Sequence, residues 1–263
     1  DVAIIGMPTF RTSLSPTQAQ LTPAAVREAV RRYSLETHLR IIDAGDADDP
    51  DDTDDTDASG WVAAVDARVV IAIGGDNAAT VGVALGRWGD AISTAGLVTV
   101  DAHHDLRDGV SNGSPVRQLL DAGLDGHRVT QVGIEPLANS AAYRKRARSA
   151  GITVVDRDVL QRRSIAEVMT EALDRAAAAG GPVHVDLDVD VCDRSVAPAC
   201  PASVPGGITA SELRAAARAA GAHPAVTSVD ITEVDAAADA PDGRTVRLAA
   251  LCVLEIIEGV AQR

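Results

Sequence analysis

Eight short runs rich in Val and Ile recur along the chain, at Val2–Ile5, Leu39–Asp43, Ala67–Ile73, Gly96–Asp101, Arg128–Ile134, Thr153–Asp156, Pro182–Asp188 and Ala225–Ile231, and Ala-, Arg- and Leu-rich stretches of helical spacing fill the gaps. Strands that alternate with helices tend to run in the same direction, because each helix carries the chain back to the starting edge. The pattern therefore predicts successive β-α units around a mainly parallel sheet. With 263 residues and 46% hydrophobic composition the chain can bury a sizeable core, so the predicted fold is a single three-layer α/β/α domain over residues 1–263. Local signals agree. Thr22-Pro23 predicts a helix start, with a capping residue followed by proline, and Thr209-Ala210-Ser211-Glu212 predicts a capping box. Asp43 through Asp57 is a run of aspartates with no apolar period and is expected to be a solvated loop. It lacks the ordered ligand spacing and closing Glu of a calcium-binding EF-hand loop.

In α/β sheets ligands gather at the carboxyl ends of the strands. Polar clusters should then follow the apolar runs, and four do: Gly74-Gly75-Asp76-Asn77, Asp101-Ala102-His103-His104-Asp105, Asp186-Leu187-Asp188-Val189-Asp190 and Glu233. Asp101, His103 and Asp105 alternate, so an extended chain would point all of them to one side. A carboxylate and imidazole set suits manganese, iron, zinc or nickel. Asp186, Asp188 and Asp190 form a second alternating set, and carboxylates crowded at a strand end repel one another unless cations neutralise them. A lone D-x-H is more often a cap or a surface cluster than a ligand set. The second carboxylate cluster on a separate strand end tips the reading toward a metal centre.

Composition removes other classes. One Phe, two Trp and two Tyr leave few platforms for base stacking, and a net charge of −14 opposes phosphate backbones and anionic membranes. Neither nucleic acid nor membrane is an expected partner; a small-molecule substrate is. Cys192, Cys200 and Cys252 are odd in number and show no C-x-x-C spacing, the pattern of reduced buried thiols in a cytoplasmic protein.

These residues resemble the ureohydrolase family of arginases and agmatinases. Asp101-Ala-His-His-Asp105 is similar to the family's D-A-H-x-D motif, Asp188-Val-Asp190-Val-Cys-Asp193-Arg-Ser-Val-Ala197-Pro198-Ala199 to its D-x-D-x-x-D-P-x-x-A-P-A segment, Gly74-Gly75-Asp76-Asn77 to its G-G-D-H signature, and Val229-Asp230-Ile231-Thr232-Glu233-Val234 to the motif with its active-site glutamate. The motifs stand in the family's order over nearly the whole chain. The resemblance implies two divalent metal ions, Mn2+ foremost, bridged by Asp101 and Asp188, with His103 and Asp190 completing one ion and Asp105 and Asn77 the other. It also implies attack by a metal-bridging hydroxide, proton relay by Asp105, an amidinium held by Glu233, and a homo-oligomer, trimer or hexamer.

Two departures stand out. Asn77 occupies a position where most members have histidine, and Asn112 one where arginases have histidine before G-x-P-V. An amide oxygen can ligate a hard cation, more weakly than imidazole. Together with Ser111–Arg117 and Asp193–Pro201, these departures resemble the formimidoylglutamase branch, which hydrolyses N-formimidoyl-L-glutamate to glutamate and formamide. Asn112, Arg117 and Arg11 are the expected substrate contacts, since a substrate with two carboxylates calls for arginine. Agmatinase- or guanidinobutyrase-type hydrolysis and a metal-poor binding relative are the alternatives. His104, His127, His184 and His223 read as scaffold, Asp76 as a loop anchor, Asp186 as support behind the ligands, and Asp193 as a turn cap.

Overall fold

The computed structural model describes residues 1–47 and 58–263. Eight parallel strands form one sheet: β1 (Val2–Met7), β2 (Ile41–Asp46), β3 (Val69–Gly74), β4 (Gly96–Val100), β5 (Val129–Ile134), β6 (Thr153–Asp156), β7 (Val183–Asp188) and β8 (Val226–Thr232). The spatial order is β2-β1-β3-β8-β7-β4-β5-β6. Each of the runs expected from sequence is a strand, with ends shifted by up to about three residues, as backbone hydrogen bonding rather than apolar content sets the limits.

Period two decides what each face touches. Val69, Ile71 and Ile73 join one core with Val98, Val100, Val183, Val185, Val229 and Ile231, packed under α1 (Thr22–Val30) and three further helices. These are α7 (Ile165–Ala176), α8 (Ala210–Ala222) and α9 (Arg244–Val260). Val70 and Ala72 face the other way, under α2 (Ser59–Ala63) and α3 (Ala79–Trp88), and α4 (Pro115–Asp121) and α5 (Ala141–Ser149) extend that layer over Leu97 and Val129. A short α6 (Arg157–Leu160) follows β6. The layering is the expected α/β/α.

Two local expectations fail. Thr22 is inside α1, with Leu21 at the cap, and its hydroxyl donates instead to the Val234 carbonyl. The aspartate run starts as structure: Asp43 and Asp46 belong to the exposed edge strand β2, and both pair with Arg27. The charge run hid the second half of that strand, beyond Asp43, because an edge open to water needs no apolar period. Residues 48–57 of the run lie outside the described residues. The capping box at Thr209 is present, with the Thr209 hydroxyl accepting from the Glu212 N–H and Glu212 accepting from the Thr209 N–H. No helix among the described residues is long and apolar enough to cross a membrane.

Candidate functional site

Four adjacent central strands, β3, β8, β7 and β4, deliver the polar clusters to one edge. Strand geometry ends early there. β4 stops at Val100, so Asp101 to Asp105 form an irregular segment, and Asp105 has a left-handed backbone (φ 50°). The only other non-glycine residue with positive φ among the described residues is Glu233 (φ 61°). Such conformations cost of order 1–3 kcal/mol and persist where the surroundings fix them. β7 ends at Asp188, whose carboxylate accepts from the Asp190 N–H at 2.8 Å and starts a single 3-10 turn over Val189–Val191. The turn lifts Asp190 to the edge and leaves Asp186 below it in the strand. At the end of β3, a Cβ on Gly75 would lie 2.1 Å from the Thr9 carbonyl oxygen, so only glycine lets the two chains approach this closely. That approach carries Asn77 over to Glu233, whose Oε1 accepts from the Asn77 N–H at 2.9 Å.

Two triads result. Ligand atoms of Asp101, His103 and Asp190 lie within 4.8 Å of one another, as do those of Asp101, Asp105 and Asp188, and Asp101 is common to both. His103 Nδ1 is 2.9 Å from Asp190 Oδ2 and 3.5 Å from Asp101 Oδ1. The Asn77 amide nitrogen donates to Asp105 Oδ2 at 2.6 Å and to Asp188 Oδ2 at 3.2 Å, while its oxygen accepts from Thr80 at 2.6 Å and Thr232 at 3.3 Å. Both hydroxyls can accept as well as donate, so they would serve the amide either way round, but turning its oxygen toward the carboxylates requires a proton or a cation between them.

All these carboxylates are buried. Burial, and after it the Asp190 charge, pushes Asp101 up to about 7. Glu233 is pushed up to about 8 by burial and by Asp76, and Asp105 and Asp188 stand well above the ordinary range because of burial and neighbouring carboxylates. His103 goes the other way from what burial favours: the Asp190 charge overrides desolvation and raises it to about 12, and the same pairing lowers Asp190 against its own burial. Asp101 Oδ2 is buried with no hydrogen-bond partner. Several buried carboxylates, one imidazole and an orphaned oxygen are an oxygen-rich donor set that fits hard divalent cations.

The triads open into a cavity of about 150 Å³ lined by His103, Asp105, Asp188, Asp190 and Glu233, with Asn112, Arg107, Tyr143 and Leu14 among its other walls. Residues 1–258 match the Arginase family. This chain belongs to that family. A formimidoylglutamase from Halalkalibacterium halodurans is 31% identical over 280 residues, which cover 97% of this chain and 86% of that protein. One from Bacillus subtilis (strain 168) is 29% identical, covering 98% and 86%. The crystal structure of the B. subtilis formimidoylglutamase has a TM-score of 0.92 at 28% identity, covering 99% of this chain and 87% of that one. A proclavaminate amidino hydrolase from Streptomyces clavuligerus shares the fold at a TM-score of 0.86 and 25% identity, covering 100% and 92%.

On this arginase-family scaffold the structure gathers Asn77, Asp101, His103, Asp105, Asp188, Asp190, Asn112 and Glu233 around one space. It does not bring Arg11 or Arg117 to the cavity wall. Arg11 lies over the Phe10 ring, with its guanidinium carbon 5.2 Å from the centroid. Arg117 turns back from α4 to the carbonyls of Arg107 and Gly109 and to Asp121, so it braces the 107–109 loop. The arginine that lines the cavity is Arg107, exposed, with its guanidinium carbon 5.8 Å from the Tyr143 ring centroid. Its closeness in sequence to Asp105 was a weak signal, and alternation was none, because the chain turns at Asp105. The scaffold residues behave as expected. His104 Nδ1 meets Gln131 at 2.7 Å, His184 sits between Ser228 and Asp230 under Trp88, Asp186 accepts from Thr232, and Asp193 caps Ser195 and Gly206. The Asp76 carboxylate accepts from the Ala78 N–H, anchoring its loop. Asn139 was missed: it accepts from the His104 N–H and donates to the Ala102 carbonyl, tying down the irregular segment.

Proposed function

We propose that this chain hydrolyses a linear amidine, N-formimidoyl-L-glutamate, to L-glutamate and formamide, with two divalent cations, Mn2+ foremost, held by Asp101, His103, Asp105, Asp188, Asp190 and Asn77. What carries this reading is the pair of carboxylate triads that share Asp101 and open into a cavity with Glu233 and Arg107 on its walls. The similarity to formimidoylglutamases over nearly the full chain supports it. When bound, the cations supply an acidified water as nucleophile and offset the carboxylate charge.

The protein's own groups do the rest. Glu233 has Oε1 occupied by the Asn77 N–H and the Asn112 amide, so Oε2 is the oxygen that takes the substrate's cationic nitrogen. Water adds at the formimidoyl carbon, the bond to the glutamate nitrogen breaks, and Asp105 hands that nitrogen the proton it needs to depart. Arg107 meets a substrate carboxylate at the mouth, braced from behind by Arg117.

The test is hydrolysis by Mn2+-loaded protein of N-formimidoyl-L-glutamate beside agmatine, guanidinobutyrate and arginine, following formamide and urea. Formamide release from the first substrate is expected, and Arg107→Ala should raise its KM by roughly 10- to 100-fold, the worth of a charge-assisted hydrogen bond. Urea from a guanidine instead would overturn the substrate. No turnover of any of the four would overturn the hydrolase reading.

A further inference from the structure

Residues 8–18, which follow β1, bring Leu14 and Ser15 to the cavity wall. This mouth loop reaches Glu233 through one side chain. The Leu14 N–H donates to Asn112 Oδ1 at 3.0 Å, Asn112 Nδ2 donates to Glu233 Oε1 at 2.7 Å, and the Asn112 N–H donates to the Thr12 carbonyl at 3.4 Å. The turn that carries Asn112 is itself fixed, because the Ser114 hydroxyl accepts from the Ser111 N–H and donates to the Ser111 carbonyl, each at 2.9 Å. It is also in close contact with the loop: a Cβ on Gly113 would lie 3.0 Å from Leu14 Cδ1 and 2.7 Å from Arg107 Cδ. Glu233, at the far end of this chain of bonds, has the left-handed backbone that its surroundings must hold in place.

We infer that Asn112 is a positioning residue that couples the mouth loop to Glu233. A carboxamide carries a donor and an acceptor on opposite sides of one planar group, so it can hold a backbone N–H and a carboxylate at once. A substrate that seats Leu14 and Ser15 against the cavity therefore also fixes the rotamer of Glu233, with Oε1 filled and Oε2 presented. Asn112 acts here through Glu233 and the loop and not as a proton carrier, since an amide does not titrate.

The kinetic readout rests on the amidine reading, and a second readout does not. In the Mn2+-loaded enzyme, Asn112→Ala should lower kcat by about 10- to 100-fold, the scale of a misplaced catalytic group, with less than about a threefold change in KM. Leu14→Pro removes the loop's N–H and should lower kcat by less. The double variant should be no slower than Asn112→Ala alone, because both break one linkage. Multiplying effects, or a loss confined to KM, would overturn the coupling. Independently of turnover, hydrogen exchange of the backbone amides at 12–15 should quicken in Asn112→Ala and in Glu233→Ala, measured on folded protein of unchanged circular dichroism. If wild-type protein cleaves no amidine, the substrate reading fails while this exchange arm still decides the linkage. Unchanged exchange in both variants would overturn it.

Discussion

Two groups of buried carboxylates in this molecule are stabilised in opposite ways. Between α8 and α9, Glu255 is 8% exposed and receives the guanidinium groups of Arg214 at 2.6 Å and of Arg218 at 2.5 Å. At the sheet's carboxyl edge, Asp101, Asp105, Asp188, Asp190 and Glu233 are equally buried, yet among the described residues their one basic partner is His103. A carboxylate with its own arginines is a clamp between helices, complete without help. A cluster without them relies on protons and the Asn77 amide, and on the proposed reading divalent cations complete it.

The sharpest break in this comparison is Asp188→Asn. Removing a charge from the edge should cut turnover by at least about a thousandfold and abolish tight Mn2+ binding together, read by calorimetry beside the assay. Retained binding of two ions would dissolve the distinction between the regions. Next in size is the pH response of the metal-free protein. Carboxylates raised in the folded state favour folding below their ordinary range and lose that contribution as pH climbs through about 7 for Asp101 and about 8 for Glu233. His103, raised to about 12, acts in the same direction above its ordinary value near neutrality. The melting temperature in chelator should therefore fall from pH 5 to 8.5, and Mn2+ should reverse the fall; a flat profile in chelator would contradict the strain assigned to the edge. Glu255→Gln is a smaller change. The arginines are about two-fifths exposed, so solvent screening limits the loss to about 1–2 kcal/mol, a few degrees in the melting curve, with Mn2+ affinity unchanged. A drop in affinity would mean that the two regions are energetically joined. Smallest is Asn77→His, which should tighten one Mn2+ by about tenfold, since imidazole is the stronger ligand; no gain in calorimetry would remove Asn77 from the ligand set.

Much of this was legible because the sheet is buried on both faces. Val69–Ile73 and Leu97–Val100 are apolar without interruption, as a central parallel strand must be, and the polar residues that end such runs stand out against them. The continuation of β2 from Asp43 to Asp46 was missed for the converse reason, since the edge strand is wet and Arg27, which pairs both aspartates, lies on another element. Local backbone geometry was also hidden. Alternation predicted that Asp101, His103 and Asp105 share a side through strand geometry, whereas the segment is irregular and turns at Asp105. Choosing among the arginines failed at the same place, because the path of residues 105–117 decides which one faces the cavity, and spacing alone does not encode a left-handed turn.

The position of β8 has a consequence for folding. It is the last strand in the chain, and it sits between β3 and β7 near the middle of the sheet. Without β8 the sheet divides into two halves, β2-β1-β3 and β7-β4-β5-β6, with both triads on the second and Asn77 at the end of the first. Parallel pairings this distant in sequence form late. Both triads lie on the β7-β4 half, so the C-terminal strand is what brings Asn77 and Glu233 to them, and the finished site depends on that strand entering between the halves.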